Sequence, residues 1–145
     1  MTAKREFKVV LIGASALWLG LLAGAQGGER FKARLSPVPI DAATANATTG
    51  AGSVNAVLTG TNLSITGTFE GLRSAATVAR LHNGPKGVRG PAVFDLTVTK
   101  ATSGTISGTL RLTAAQVEGL KNGRFYVQIH SERAPEGNLW GWLLQ

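Results

Sequence analysis

The chain has 145 residues, a formal net charge of +7, 43 % hydrophobic residues, two histidines and no cysteine. That length allows one ordinary domain with a real hydrophobic core, while the missing cysteines exclude a disulfide scaffold and a lipid-anchored thiol. Lys and Arg are scattered, with no dense basic run and no interleaved aromatics, which argues against nucleic acid as a partner.

Lys4, Arg5 and Lys8 stand against Glu6 at the start, and an uncharged run from Val9 to Ala25 follows, ending Ala23-Gly24-Ala25. A basic start, an apolar middle and an A-x-A signature read as a signal peptide over 1–25, cut before Gln26; the alternative is an uncleaved N-terminal anchor, the membrane contact this reading would add. Either places the remainder outside the cytoplasm, in a periplasmic, cell-surface or extracellular setting. The segment supplies two of the seven net charges, leaving +5 for the rest.

The first strand is expected over 30–35, where Phe31, Ala33 and Leu35 alternate with Arg30, Lys32 and Arg34. It is a candidate edge, and its cations would oppose self-assembly there. Pro37 and Pro39 stop it, and 41–52, rich in Ala, Thr, Asn and Gly, is expected to be an exposed loop. Strands at 53–58 and 63–69 flank a Gly60-Thr61-Asn62 turn. A strand over 75–82 runs into a glycine-rich loop at 83–91, and 92–99 and 104–112 follow as two more strands. In 92–99, Ala92, Phe94, Leu96 and Val98 share one face, the clearest alternation in the chain. Thr113 and Gln116 are spaced as a capping box, which predicts one short helix near 113–122 ended by Gly123.

The last stretch reads as a hairpin. Phe125, Val127 and Ile129 alternate with Tyr126, Gln128 and His130; Ala134 to Asn138 break the pattern, and Leu139, Gly141 and Leu143 resume it against Trp140, Trp142 and Leu144. The domain from 30 to 145 is therefore all-β, an antiparallel β-sandwich (immunoglobulin-like in outline) or flattened Greek-key barrel of about eight strands.

His82 and His130 both lie at strand ends beside loops, so any chemistry runs through them. They could hold copper or zinc with carboxylates such as Asp95, Glu132 or Glu136, but Arg80, two residues from His82, shares its strand face and cannot ligate. The plainer role for each imidazole is to hydrogen-bond a loop and pin its turn. A polar recognition surface of Arg80, His82, His130, Glu132 and Arg133 is the third reading. No catalytic residue or cofactor is expected: there is no G-x-S-x-G elbow, and the Gly84, Gly87 and Gly90 spacing lacks a helix N-terminus for a phosphate. Trp140 and Trp142 are expected in a core, the other options for an exposed pair being sugar stacking or insertion at a membrane interface.

Taken in order, these pieces resemble the CHRD domain, the module named for chordin. Ala79-Arg80-Leu81-His82-Asn83-Gly84-Pro85 stands where the family has an Ala-His-Ile-His-Gly-Pro type motif, with Arg80 replacing the first histidine. The 91–96 strand, the Leu112 to Gln116 segment, Phe125 to His130 and Pro135 to Leu143 match the family's later pieces. The resemblance implies an exported β-sandwich with no established enzymatic activity. The function expected for it is that of a non-enzymatic binding or structural module that presents loops 41–52, 83–91 and 131–138 to an extracytoplasmic protein or envelope component. The family's His-x-His pattern is also reminiscent of copper and zinc superoxide dismutases, which makes a metal-binding protein the alternative. N-terminal sequencing of the exported protein is expected to start at Gln26, whereas an anchor would keep Met1.

Overall fold

A computed structural model describes residues 27–145. The segment read as a signal peptide lies outside the described residues. Eight strands and one helix follow one another: β1 (Glu29–Pro37), β2 (Ala51–Thr59), β3 (Asn62–Glu70), β4 (Ala76–Asn83), β5 (Ala92–Val98), β6 (Gly104–Arg111), α1 (Ala114–Lys121), β7 (Phe125–Ser131) and β8 (Ala134–Trp142). They close an antiparallel barrel in the order β1-β2-β3-β6-β5-β4-β7-β8.

Two long ladders dominate. β1, β2, β3 and β6 pair over most of their lengths, as do β4, β7 and β8. The ladders meet at two thin seams. β5 reaches β6 through only Thr97–Ser107 and Val98–Ile106, and β1 reaches β8 through Ser36–Trp140 and Pro37–Leu139, with one further bridge at Lys32–Leu144. The expected sandwich or flattened barrel is thus a barrel whose two sheets join at narrow corners.

Period-two alternation sorts the side chains. Phe31, Ala33 and Leu35 point inward from β1, Val54, Ala56 and Leu58 from β2, Leu63, Ile65 and Phe69 from β3, and Phe125, Val127 and Ile129 from β7, all buried in one core. Burying each large aliphatic stabilises the fold by about 1.5–3 kcal/mol before entropy is counted. Gly108 leaves the space that Leu96 fills, since a Cβ there would sit 2.7 Å from Leu96 Cδ2.

The helix forms where its cap predicts. Thr113 Oγ1 accepts the Gln116 N–H at 3.2 Å, and Gln116 Oε1 accepts the Thr113 N–H at 2.8 Å. Gly123, at φ +69°, turns the chain out of the helix, and Leu120 seals the core with no exposure.

Two expectations need correction, while the 92–99 strand forms as β5, with Leu96 its one buried residue because the short pairing with β6 leaves it at a corner. β1 is no edge, because it pairs with β2 on one side and β8 on the other. Ala134 to Asn138 are strand, and the turn between β7 and β8 is Glu132-Arg133 alone. The register shifts between Ile129 and Ser131, and this irregularity, with Gly137 at φ +132°, lets turn-type residues enter the ladder.

The β1–β8 corner depends on Gly141, whose Cβ, if it had one, would collide with the Arg34 carbonyl oxygen. Gly141→Ala is expected to cost about 2 kcal/mol or more and to lower Tm by roughly 5–15 °C in thermal denaturation. An unchanged Tm would mean that this seam tolerates separation.

Candidate functional site

The outward faces of β4, β7 and β8 carry a second buried layer. Alternation that sends Phe125, Val127 and Ile129 inward sends Tyr126, Gln128 and His130 outward, and places Trp140 and Trp142 beside them on β8. Tyr126, Trp140 and Trp142 pack with Val38 in a small core of their own outside the barrel. Ring centroids lie 4.6 Å apart for Tyr126–Trp142, 4.7 Å for Trp140–Trp142 and 5.8 Å for Tyr126–Trp140, the last two edge-on. Such contacts add about 0.5–1.5 kcal/mol each beyond their buried area.

The 83–91 loop folds over this layer and is tied to it at both ends. At the far end His82 Nδ1 donates to Gly90 O at 2.9 Å, while Tyr126 Oη accepts the Gly90 N–H at 2.9 Å and donates back to Gly90 O at 3.2 Å. At the near end Trp142 Nε1 donates to Gly84 O at 2.9 Å, and the Gly84 N–H reaches Arg124 O at 2.7 Å. Arg89 lies over the Trp140 ring, 5.8 Å from its centroid, and donates to Glu136 O at 2.7 Å. The tip between these anchors projects, with Val88 54 % exposed.

The two histidines come together. Their ring centroids lie 6.3 Å apart, and His82 stacks on Tyr126 at 4.9 Å. Each points Nδ1 at a backbone carbonyl, Gly90 for His82 and Pro135 for His130 at 2.8 Å, so that Nδ1 carries the proton it donates. Gln128 Nε2 approaches His130 Nε2 at 3.2 Å. His82 Nε2 and Gln128 Oε1 are buried with no partner, at a cost on the order of 1–3 kcal/mol apiece.

The rest of the expected recognition surface does not converge on this pair. Arg80 is bound sideways to Asp95 on β5 at 2.9 Å. Glu132 and Arg133 form the β7–β8 turn, with backbone N–H groups on Ala75 O and Ser74 Oγ. Glu136 contributes its carbonyl oxygen to Gln128 and Arg89. Among the described residues no group of three or more His, Cys, Asp or Glu is placed to hold a metal. The third and fourth ligands that copper or zinc would need beside His82 and His130 are not assembled, so the residues present do not fit a metal centre.

Tyr126 and Gln128 join the site although neither belongs to a titratable pair visible in the sequence. Their signal was the outward set of the last hairpin, Tyr, Gln, His and two Trp, which is too apolar for a solvated face.

Across its length the sequence matches one described family, the CHRD domain, over residues 31–143. The chain belongs to the CHRD family. No curated protein and no solved structure matches it significantly. Within this CHRD domain the motif Ala79 to Pro85 is the end of β4 and the start of the pinned loop.

Burial holds the His82 imidazole below its ordinary pKa of 6.5; the Gly90 hydrogen bond opposes that, and His130, Arg80 and Arg89 add to it by repulsion. The unfolded chain therefore takes up a proton that the folded one refuses. The stabilisation is complete above the ordinary value and is lost as pH falls toward the depressed one. Urea denaturation at about pH 7.5 and about pH 5.5 is expected to show lower stability at the acid value, with His82→Gln removing most of the difference. A difference that persists undiminished in the variant would place its origin elsewhere.

Proposed function

We propose that this CHRD protein is an exported, non-enzymatic binding module whose main recognition element is the 83–91 loop, directed at an extracytoplasmic protein or envelope component. The supporting observation is the anchoring of that loop. His82, Tyr126 and Trp142 hold both of its ends, whereas Lys86, Val88 and Arg89 are exposed at its tip. A loop ordered before contact loses little conformational entropy on binding, which is how rigid sheets present recognition segments. The imidazoles serve this reading as positioning groups, His82 bonded to the loop carbonyl of Gly90 and His130 to the Pro135 carbonyl of β8. Export rests on the composition of 1–25 and on the family resemblance.

A photo-crosslinking residue at position 88, compared with one at exposed position 109 on β6, tests the proposal in cells. Adducts with an extracytoplasmic component are expected from position 88 only, and His82→Ala should reduce them about tenfold by loosening the loop. Equal labelling from both positions, or protein retained wholly in the cytoplasm, would reject it.

A further inference from the structure

From the groove between the pinned loop and the β1–β8 seam, we infer that this face takes a strand of acidic polysaccharide, its carboxylates met by Arg34 and Lys86 and the C–H faces of its rings set against the apolar floor of the groove. This rests on the binding-module reading above and names the class of its partner.

The groove follows from the weak seam. β1 and β8 pair at Ser36–Trp140 and again at Lys32–Leu144, but the position between them, Arg34 opposite Trp142, is unpaired. A cleft of about 360 Å³ opens there, floored by Trp140, Trp142 and Leu144 and rimmed by Arg34 on the strand side and Lys86 on the loop side. Its size is at the lower end for ligand pockets, and a mostly apolar floor with a few placed polar groups is their usual make-up. No carboxylate lines it.

The cations beside it have no internal task. Arg30, Lys32 and Arg34 are exposed on the outer face of β1, at the two-residue repeat of about 7 Å that a strand imposes. Among the described residues the ion pairs are Arg80–Asp95 and Lys121–Glu29, and none involves Arg30, Lys32, Arg34 or Lys86. Because β1 is paired on both sides, its charges are not needed to repel a second strand edge. A row of unpaired cations along an apolar trough complements a polymer that carries regular anions on rings with C–H faces.

Other polyanions fit less well. A bilayer surface is engaged by a broad protruding apolar face, whereas among the described residues the exposed large hydrophobics are only Ile40, Val88 and Leu144, and the two indoles are recessed. Single-stranded nucleic acid is held by open aromatic platforms, and no exposed large aromatic is found among the described residues.

The test is binding of the purified protein to polygalacturonate by affinity electrophoresis at low salt, against dextran, phosphatidylglycerol vesicles and duplex DNA. Arg34→Ala/Lys86→Ala is compared with Arg73→Ala/Arg111→Ala, which removes the same charge from exposed positions outside the groove. Retardation by polygalacturonate and not dextran is expected, weakened about tenfold in the groove variant and less than about threefold in the other. No retardation, equal loss in both variants, or tighter binding to vesicles or DNA would overturn the inference. If polygalacturonate fails while position 88 still cross-links a protein, the polysaccharide idea falls and the module reading stands.

Discussion

The face that distinguishes this barrel hangs on the backbone of one residue, Gly90. Its N–H is taken by Tyr126, and its carbonyl is shared by Tyr126 and His82. No larger residue could occupy the position, because a Cβ would run into the Asn83 carbonyl. Loss of this node would free the 83–91 loop at one end, uncover the His82 and Tyr126 rings, and leave buried donors and acceptors unmatched. Hydrogen bonds of this kind are modest while made and expensive when half-removed. The node therefore couples loop order to the packing of the layer beneath it.

A second hydrophobic layer outside a closed barrel answers a problem of size. A domain of about 120 residues buries a limited fraction of its surface, and this one has no disulfide to constrain the unfolded chain. Its barrel interior is filled mainly by aliphatics and a few Phe rings. Tyr126, Trp140 and Trp142 add large buried areas on the other side of the same strands, so β7 and β8 are covered on both faces. Their polar tips need partners, and Gly84 and Gly90 of the loop supply them. The loop is thus held because the aromatics require it.

Much of this was legible in the sequence, for reasons that separate by length scale. The alternation in 30–35 and 125–130, the Thr113 and Gln116 cap, and the pinning of the 83–91 loop by His82 depend on neighbours a few residues away, and local chemistry fixes them. The errors arose where distant strands decide. Ala134 to Asn138 carry turn residues yet sit in a ladder, because β7 pairs across them and Gly137 absorbs the distortion. The 92–99 segment alternates cleanly yet lies at a barrel corner, and nothing local says which strand stands at a corner. Arg80 illustrates the site: its placement beside His82 was readable, but its commitment to Asp95 required the β4–β5 register.

That commitment also removes Arg80 from the cations that face solvent unpaired. It is neutralised by Asp95, and near α1 Lys121 is neutralised by Glu29. Along β1 and at Lys86 no such ion pair occurs among the described residues, so these cations keep their charge beside the aromatic layer. Surface ion pairs contribute little to stability, so leaving these cations unpaired costs the fold almost nothing. Their field, however, adds over the row and reaches about a Debye length, roughly 8 Å at physiological salt. A thin seam in the barrel, a glycine that allows close approach, and a loop pinned at two peptides together set an apolar trough inside that field. Each feature has a structural cause of its own, and their coincidence on one face sets that face apart from the rest of the barrel.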